Sequence, residues 1–280
     1  MKAETGMRMR AYDASLALAL ASALASSPAL ADQTAGAASE KDEAAAVHIN
    51  AIKNPELHTY RAIVAGLDRF DELHALAPNV PQLRFEVEGR RGKALEGELP
   101  VARIAADDFS IPLTLDRQAR FSVPRSQAAY DAKAELILNR KKYEARVVPY
   151  VRTPGLPDNQ YRLGDVRLDC QVKIAIAKEE IPFWANGLIN GILLTTDWCS
   201  WFKGPTPKGG DRYWSHETGA ELARAVLYDG NRSANLPVRG RQFEAPIGDT
   251  SWSNDAFVEL AFAASADATP TTQPVRETAP

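Results

Sequence analysis

Cysteine, methionine and histidine are scarce in this chain, and the shortage excludes several kinds of site. The 280 residues include two cysteines, three methionines and four histidines. No His-x-x-x-His pair and no Cys-x-x-Cys unit is present, so the sequence predicts no metal site. The dinucleotide fingerprint, the phosphate-binding Gly-x-x-x-x-Gly-Lys loop and the Gly-x-Ser-x-Gly elbow are also missing. We therefore predict no cofactor.

A net positive charge and a membrane-length apolar run are absent as well. The formal net charge is -3, which gives no indication of a nucleic-acid partner. The apolar runs at 15–25 and 181–196 are shorter than the roughly 20 residues that span a bilayer, so no transmembrane segment is predicted after signal cleavage. With 45% hydrophobic residues, the chain can still build one large core or two small ones.

The first 31 residues have the pattern of an export signal. Basic residues come first, the Ala/Leu-rich run 15–25 follows, and Ala29-Leu30-Ala31 supplies a small-x-small cleavage pattern. We predict a signal peptide at 1–31 and a periplasmic or secreted mature protein. The Ala-rich signal favours a bacterial envelope.

Two further segments lack any hydrophobic period. Residues 32–46 are polar and Ala-rich, and residues 263–280 are rich in Ala, Thr and Pro, so both are predicted to be disordered. The remaining residues, 47–262, are predicted to form one globular β-sandwich domain. If that domain divides, the change in composition near 180–210 is where a sub-boundary would fall.

Residues 163–176 show a regular two-residue alternation. Apolar positions there alternate with mostly polar ones, which predicts a strand with one buried and one wet face. The apolar positions are Val166, Leu168, Cys170, Val172, Ile174 and Ile176; between them come Asp165, Arg167, Asp169, Gln171, Lys173 and Ala175.

The two cysteines are predicted to form a disulfide between Cys170 and Cys199. In an oxidising compartment an isolated pair favours a bridge. A catalytic thiol is the alternative, but Cys170 lies on the apolar face of the predicted strand, and burial disfavours the thiolate.

A helix is predicted near the start of the domain. Asn54 would be its N-cap and Pro55 its first residue. Apolar residues then recur at three- and four-residue steps from Leu57 to Leu76 before Pro78 ends the pattern.

Most of the chain from Leu83 to Ile176 is predicted to form short strands. Pro112 cannot donate to a ladder, which indicates an edge strand, and segments 134–138 and 145–148 are predicted to form a hairpin around the basic tip 139–143. That tip favours a solvated turn over an anion-binding patch. The fold class predicted is mainly β (α+β), an antiparallel β-sandwich with an N-terminal helix and a short C-terminal α+β extension.

One stretch of this region resembles a known family. Gly97-Glu98-Leu99-Pro100-Val101, Thr114-Leu115-Asp116 and Arg120-Phe121-Ser122-Val123-Pro124 are similar to carboxypeptidase-regulatory-like (transthyretin-like) sandwich modules, with Ala119 standing where a glycine would help. The chain also resembles uncharacterised exported proteins of Gram-negative bacteria. The first resemblance implies an accessory or adhesive β-module rather than a catalyst.

The apolar run 181–196 has Gly187 and Gly191 four residues apart. Such spacing can pack membrane helices, but the run is short and contains two asparagines, so a buried helix or hairpin beside the disulfide is favoured. A short helix is also predicted around Thr218 to Val226.

No catalytic site is predicted as the first choice. The alternative is a hydrolase centred on His216, in which Ser215 or a bound water is the nucleophile and a carboxylate such as Asp211 orients the ring. The competing interpretation, which we favour, is that Ser215 or Thr218 caps the predicted helix.

Aromatic residues concentrate in the last third of the chain. A binding surface built from them would comprise Trp198, Trp201, Tyr213, Trp214 and Trp252. The alternative is a tryptophan-rich core under the disulfide. Together these features predict an exported, non-enzymatic structural or interaction protein with a protein or glycan partner.

Overall fold

The computed structural model describes residues 52–90, 95, 97–205 and 210–263. The predicted signal peptide 1–31, the predicted arm 32–46 and the predicted tail beyond residue 263 lie outside the described residues. Strands in antiparallel sheets predominate and a few helices accompany them, which confirms the mainly β (α+β) class.

The described strands form four antiparallel sheets. The first contains, in spatial order, β1 (Pro55–Thr59), β6 (Glu135–Lys141), β3 (Ala102–Ala106) and β4 (Phe109–Leu113). The second contains β5 (Arg120–Phe121), β2 (Arg84–Gly89) and β7 (Ala145–Tyr150). The third contains β11 (Arg232–Leu236), β10 (Leu222–Asp229), β14 (Phe257–Phe262) and β8 (Gln160–Arg162). The fourth contains β12 (Val238–Arg239), β13 (Gln242–Ala245) and β9 (Trp214–Glu217).

The helices are interspersed among these strands. They are α1 (Tyr60–Glu72), α2 (Gln127–Asp131), α3 (Leu163–Glu180) and α4 (Phe183–Leu193), with short 3-10 turns at His74–Leu76 and Trp198–Trp201. Among the described residues, no helix combines the length and the hydropathy that crossing a membrane requires.

The strand predicted at 163–176 is wrong, because this segment is helix α3. The physical reason is that α3 runs between two hydrophobic cores. In a helix of 3.6 residues per turn, positions two apart lie on nearly opposite faces and positions four apart share a face. A two-residue alternation therefore also describes a helix with apolar residues on two opposite sides.

The contacts of α3 fit this geometry. Leu168, Val172 and Ile176 belong to the first core, which the first two sheets and α1 also build. Val166 and Cys170 belong to the second core with the third and fourth sheets, and Ile174 packs against it. The two sets are offset by two residues.

The polar residues in the first half of α3 are not on a wet face either. Asp165 is buried, and its carboxylate accepts hydrogen bonds from the Thr153 backbone N–H (2.6 Å) and hydroxyl (2.9 Å). Burial raises the pKa of Asp165. Arg167 donates to the backbone oxygens of Ile247, Asp249 and Trp252, and so holds the loop before β14.

Helix α1 exists as predicted, but its start was predicted wrongly. Asn54 adopts a positive φ of 55°, and Pro55 begins strand β1 instead of the helix. The N-cap is Thr59, whose hydroxyl accepts from the Ala62 N–H at 3.3 Å. Pairing of β1 with β6 thus replaces the first predicted helical turn.

Glycine lets α1 and α3 approach closely. A Cβ at Gly66 would lie 2.8 Å from Cγ1 of Ile176 and 3.4 Å from Cγ1 of Val172. The side chains of α3 therefore pack directly on the backbone of α1, which fixes α3 against the first core.

Two predictions about the first sheets had different outcomes. Pro112 lies in β4, an edge strand of its sheet, as predicted. The hairpin at 134–148 is wrong in its pairing: β6 pairs with β1 and β3, while β7 pairs with β2. A turn joins the two strands, but they enter different sheets that share the first core. Ala119 has a positive φ of 58°, a conformation that glycine adopts more readily than alanine.

The predicted disulfide is present between Cys170 and Cys199, with both cysteines buried. It links α3 to the turn Trp198–Trp201 across 29 positions, so the whole of α4 lies in the loop it closes. Of the two structures predicted for 181–196, a buried helix or a hairpin, the segment forms a helix, α4. Its predicted burial is wrong, because none of its residues is buried.

The predicted helix around Thr218 to Val226 is also wrong. Residues Trp214–Glu217 form β9 and Leu222–Asp229 form β10, with a turn between them. Consequently Ser215 does not cap a helix. The Thr218 hydroxyl instead donates within this turn region, to backbone oxygens of Ala220 and Arg241 (2.9 and 2.8 Å).

Candidate functional site

A cleft of about 1060 Å³ is lined by strands β2, β7 and β9 and by helix α3. Polar and charged side chains of both signs dominate its walls. The described carboxylates are Glu86, Glu88, Glu98, Asp158, Asp169, Glu180 and Glu217, and the described arginines and lysine are Arg117, Arg120, Arg146, Arg152, Lys173 and Arg241. The cleft therefore contains negative and positive side chains in nearly equal number.

Asp169 of α3 is the most deeply buried acid in this cleft. One of its oxygens lies 2.8 Å from Nζ of Lys173 and 3.4 Å from Nδ1 of His216. Burial raises the pKa of Asp169, but attraction to Lys173 and His216 outweighs burial and holds the pKa below its usual value. Asp169 is therefore a carboxylate at neutral pH. Lys173 stands one helical turn from Asp169, which explains why the two side chains meet.

His216 enters the cleft from β9. Its ring packs edge-on against Tyr161 (5.1 Å between centroids) and tilted against Phe243 (5.2 Å). Nδ1 is buried, and among the described residues no partner within hydrogen-bonding geometry satisfies it, although Asp169 is near. Burial raises the pKa of Tyr161, so that its phenol stays neutral at physiological pH.

Ion pairs of Arg146 join two sheets across the cleft. Arg146 of β7 binds Glu88 of β2 at 2.8 Å and also Glu217 of β9. The second sheet is thereby tied to the fourth through a single guanidinium group.

A second arginine organises the neighbouring wall. Arg120 binds Glu86 at 2.8 Å, and its guanidinium lies 3.8 Å from the ring centroid of Tyr150. Burial raises the pKa of Glu86 in spite of this pairing. Arg152 stacks in the same way on Tyr161, at 4.2 Å. Each of these tyrosines therefore has one face covered by a guanidinium.

His58 of β1 lies at the end of the cleft nearest the C-terminus of α3. Its Nδ1 is 2.5 Å from Oε1 of Glu180, and its Nε2 is 3.4 Å from Oε1 of Glu56. Burial lowers the pKa of His58, but the hydrogen bonds and charges of the two glutamates prevail and raise it to about 9. The ring is therefore a cation at neutral pH, and it ties β1 to α3.

Of the three residues in the hydrolase hypothesis, Ser215 and His216 line the cleft and Asp211 does not. Ser215 is exposed and neighbours His216 in β9, where successive side chains point to opposite sides of the strand. Asp211 is exposed before β9, and no hydrogen bond or ion pair among the described residues joins it or Ser215 to His216. Asp169 occupies the position that the hypothesis gave to Asp211.

The aromatic residues proposed as a binding surface lie in several places. Trp198 is buried under the Lys178 ammonium (4.9 Å), and Trp252 is buried under the Arg232 guanidinium (3.6 Å). Trp201 and Trp214 are half-buried on either side of Phe202, with centroid separations of 5.6 and 5.3 Å. Tyr213 is half-buried and packs near Gly204. Of these five, Trp214 lines the cleft.

Sequence reasoning did not identify Asp169 or Arg146 as site residues. Asp169 was assigned to the wet face of a strand, so its burial beside His216 could not be inferred. The signal that existed was the four-residue spacing of Asp169 and Lys173, which suits an ion pair on a helix and not on a strand. Among the described residues, no group of three or more His, Cys, Asp or Glu side chains is placed to hold a metal ion.

Comparison of the chain with family models, with curated proteins and with solved structures gave no match in any of the three. The geometry of the cleft is therefore the basis for any functional conclusion.

Proposed function

We propose that this protein is an exported, non-enzymatic binding module of the bacterial envelope, and that its cleft takes a segment of glycan. The N-terminal signal pattern and the Cys170–Cys199 bridge support export, since disulfides persist in oxidising compartments. The observation that carries the proposal is the balance of paired carboxylates and guanidiniums along the cleft.

Paired charges suit a neutral, hydroxyl-rich ligand. A sugar hydroxyl both donates and accepts, so that it can bridge a glutamate and the arginine beside it without leaving a net charge. Glu88 with Arg146 and Glu86 with Arg120 offer two such pairs on adjacent strands. An anionic ligand would be opposed by the seven carboxylates, and a cationic one by the arginines.

Trp214 adds an apolar surface at the same cleft. Its indole Nε1 is buried and has no hydrogen-bond partner among the described residues. Aromatic rings bury apolar sugar faces at low entropic cost. We also propose that the first two sheets face each other as a sandwich-like module, because their side chains contribute to one core.

The test is binding of neutral oligosaccharides to the full chain. A glycan array would select a tetrasaccharide, and calorimetric titration would then compare wild type with Glu88→Gln. We expect the affinity to fall by roughly 10-fold, because one hydrogen bond to a charged group is lost. Glu144→Gln is the matched control, since Glu144 is exposed on the β6–β7 turn and is not among the residues that line the cleft; the affinity of this variant should equal that of wild type. Absence of binding by any oligosaccharide at millimolar concentration would refute the proposal.

Hydrolysis centred on His216 is a second candidate, favoured by one observation. Asp169 lies 3.4 Å from Nδ1 of His216 inside the cleft, an arrangement in which a carboxylate can orient an imidazole base. Such an enzyme would release reducing ends from the bound oligosaccharide, and His216→Ala would abolish this release while Ser215→Ala would not. The binding proposal predicts no release from wild type.

A further inference from the structure

Helix α4 has its apolar face toward solvent. Phe183 is 88% exposed, Trp184 63%, Leu188 59% and Ile192 69%. These positions recur every four residues in two adjacent rows, so they form one continuous face. Gly187 and Gly191 lie on the same exposed face, and Leu194 extends it beyond the end of the helix.

The polar residues of α4 fix this orientation. The Asn186 side chain donates to the Lys178 carbonyl (2.9 Å), and the Asn190 side chain accepts from the Trp198 indole N–H (2.7 Å). Turning the apolar face inward would break both hydrogen bonds and would expose the asparagines' partners. The outward apolar face is thus a consequence of how α4 is anchored, and we name it the α4 face.

The area of the α4 face is large for a surface left in water. The five large side chains leave on the order of 700 Å² of apolar surface exposed, above the 300–600 Å² of the largest patch on a typical monomer. It also approaches the roughly 800 Å² that each partner contributes to an interface of standard size.

We propose that the α4 face is a homodimer interface, occupied by the α4 face of a second copy of this chain. The face is self-complementary: large side chains alternate with glycines at which an added Cβ would meet nothing within 4 Å. Across a two-fold axis, Leu188 and Ile192 of one copy can lie over the glycines of the other. The interface needs no charge pairing, because residues 181–196 contain no charged side chain.

A lipid surface fits this face less well. Interfacial helices that bind anionic lipids carry lysines and arginines beside the apolar face. The nearest charged residues before α4 are instead the acidic Glu179 and Glu180, at the end of α3. Glycines one turn apart also contribute nothing to lipid insertion, whereas they allow the close approach of a second helix.

Sedimentation velocity on the full chain tests the proposal, which is independent of the glycan proposal. We expect wild type to sediment as a dimer, and Leu188→Glu to raise the dimer dissociation constant by at least about 100-fold, since the two-fold axis buries two unpaired charges. Gly187→Leu should also give monomer, because the new side chains hold the helices apart. Tyr143→Glu, a substitution at a 77% exposed residue on the β6–β7 turn, should remain dimeric.

Three outcomes would overturn the proposal. One is a wild type that remains monomeric at a concentration of about 100 µM, well above the dissociation constant expected of an interface of standard size. Another is a dimer that persists in Leu188→Glu, which would place the interface elsewhere. The third is a monomeric wild type that co-sediments with phosphatidylethanolamine–phosphatidylglycerol vesicles, together with stronger vesicle binding by Gly187→Leu. That result would assign the face to lipid. Circular dichroism of each variant should match wild type, because the substituted side chains are exposed.

Discussion

Helices α3 and α4 are consecutive, yet they relate to water in opposite ways. α3 contains four basic or acidic residues between Asp165 and Lys173, and it is buried on two sides by two cores. α4 contains no charged residue, and none of its residues is buried. The burial of a segment therefore depends on how many elements pack around it, and not on the hydropathy of the segment itself.

Each helix places its polar groups where a partner exists. In α3, Asp165, Arg167 and Asp169 point into the protein and meet Thr153, the loop before β14, and Lys173 with His216. In α4, the two asparagines face inward and bind Lys178 and Trp198. Each of these polar side chains makes at least one hydrogen bond or ion pair within the protein.

The largest effect is expected from the disulfide that encloses α4. The double variant Cys170→Ala, Cys199→Ala should lose roughly 3–4 kcal/mol of unfolding free energy in the chain-entropy model, because the bridge restricts the unfolded chain. Urea unfolding, followed by tryptophan fluorescence, measures this loss. The free energy of unfolding of wild type should fall by a similar amount when a reducing agent is added. A loss under about 1 kcal/mol would mean that side-chain contacts alone hold α4 on α3.

Leucine truncation in the two helices compares them directly. Leu168→Ala in α3 removes a fully buried side chain and should cost about 3 kcal/mol, whereas Leu188→Ala in α4 should change the stability of the monomer by less than about 0.5 kcal/mol. Both are measured by urea unfolding, at a protein concentration where each variant is monomeric. Equal losses at the two positions would show that α4 is buried in solution.

A smaller, pH-dependent effect is expected at the end of α3, where His58 binds Glu180. The pKa of His58 is raised from 6.5 to about 9 on folding, so its contribution to stability is fully present below pH 6.5. That contribution, on the order of 2 kcal/mol, should be lost as the pH rises from 6.5 to 9, because the folded state then gives up the proton it held more tightly.

His58→Gln provides the control for this titration. The difference in unfolding free energy between wild type and variant should shrink across pH 6.5–9 and be constant below it. A difference that stays flat over that range would mean that His58 is neutral in the folded protein, and that β1 is not tied to α3 by charge.

Much of the local structure could be predicted from sequence. The edge position of Pro112, the existence of α1 and the disulfide followed from rules that depend on a few residues. Proline cannot donate to a ladder, an amphipathic three- and four-residue period forms a helix, and two thiols outside the cytosol pair.

The candidate site could not be predicted to the same extent. The sequence placed His216 among the candidates, but it offered Asp211 and Ser215 as partners because they are neighbours along the chain. The structure instead brings Asp169, 47 positions earlier in the sequence, to His216 from a different element, helix α3. Once α3 is a helix, Asp169 points toward β9, and no local pattern specifies that.

By itself, the sequence determined features that depend on a few residues: the edge position of Pro112, the existence of the first helix, and a bridge between Cys170 and Cys199. Only the tertiary structure decided that the alternation at 163–176 is a helix between two cores, and that the most apolar helix faces water. The reason is that a two-residue alternation fits both a strand that packs against one hydrophobic core and a helix that packs between two. The choice between them depends on the packing of distant segments on both sides, which the alternation does not record.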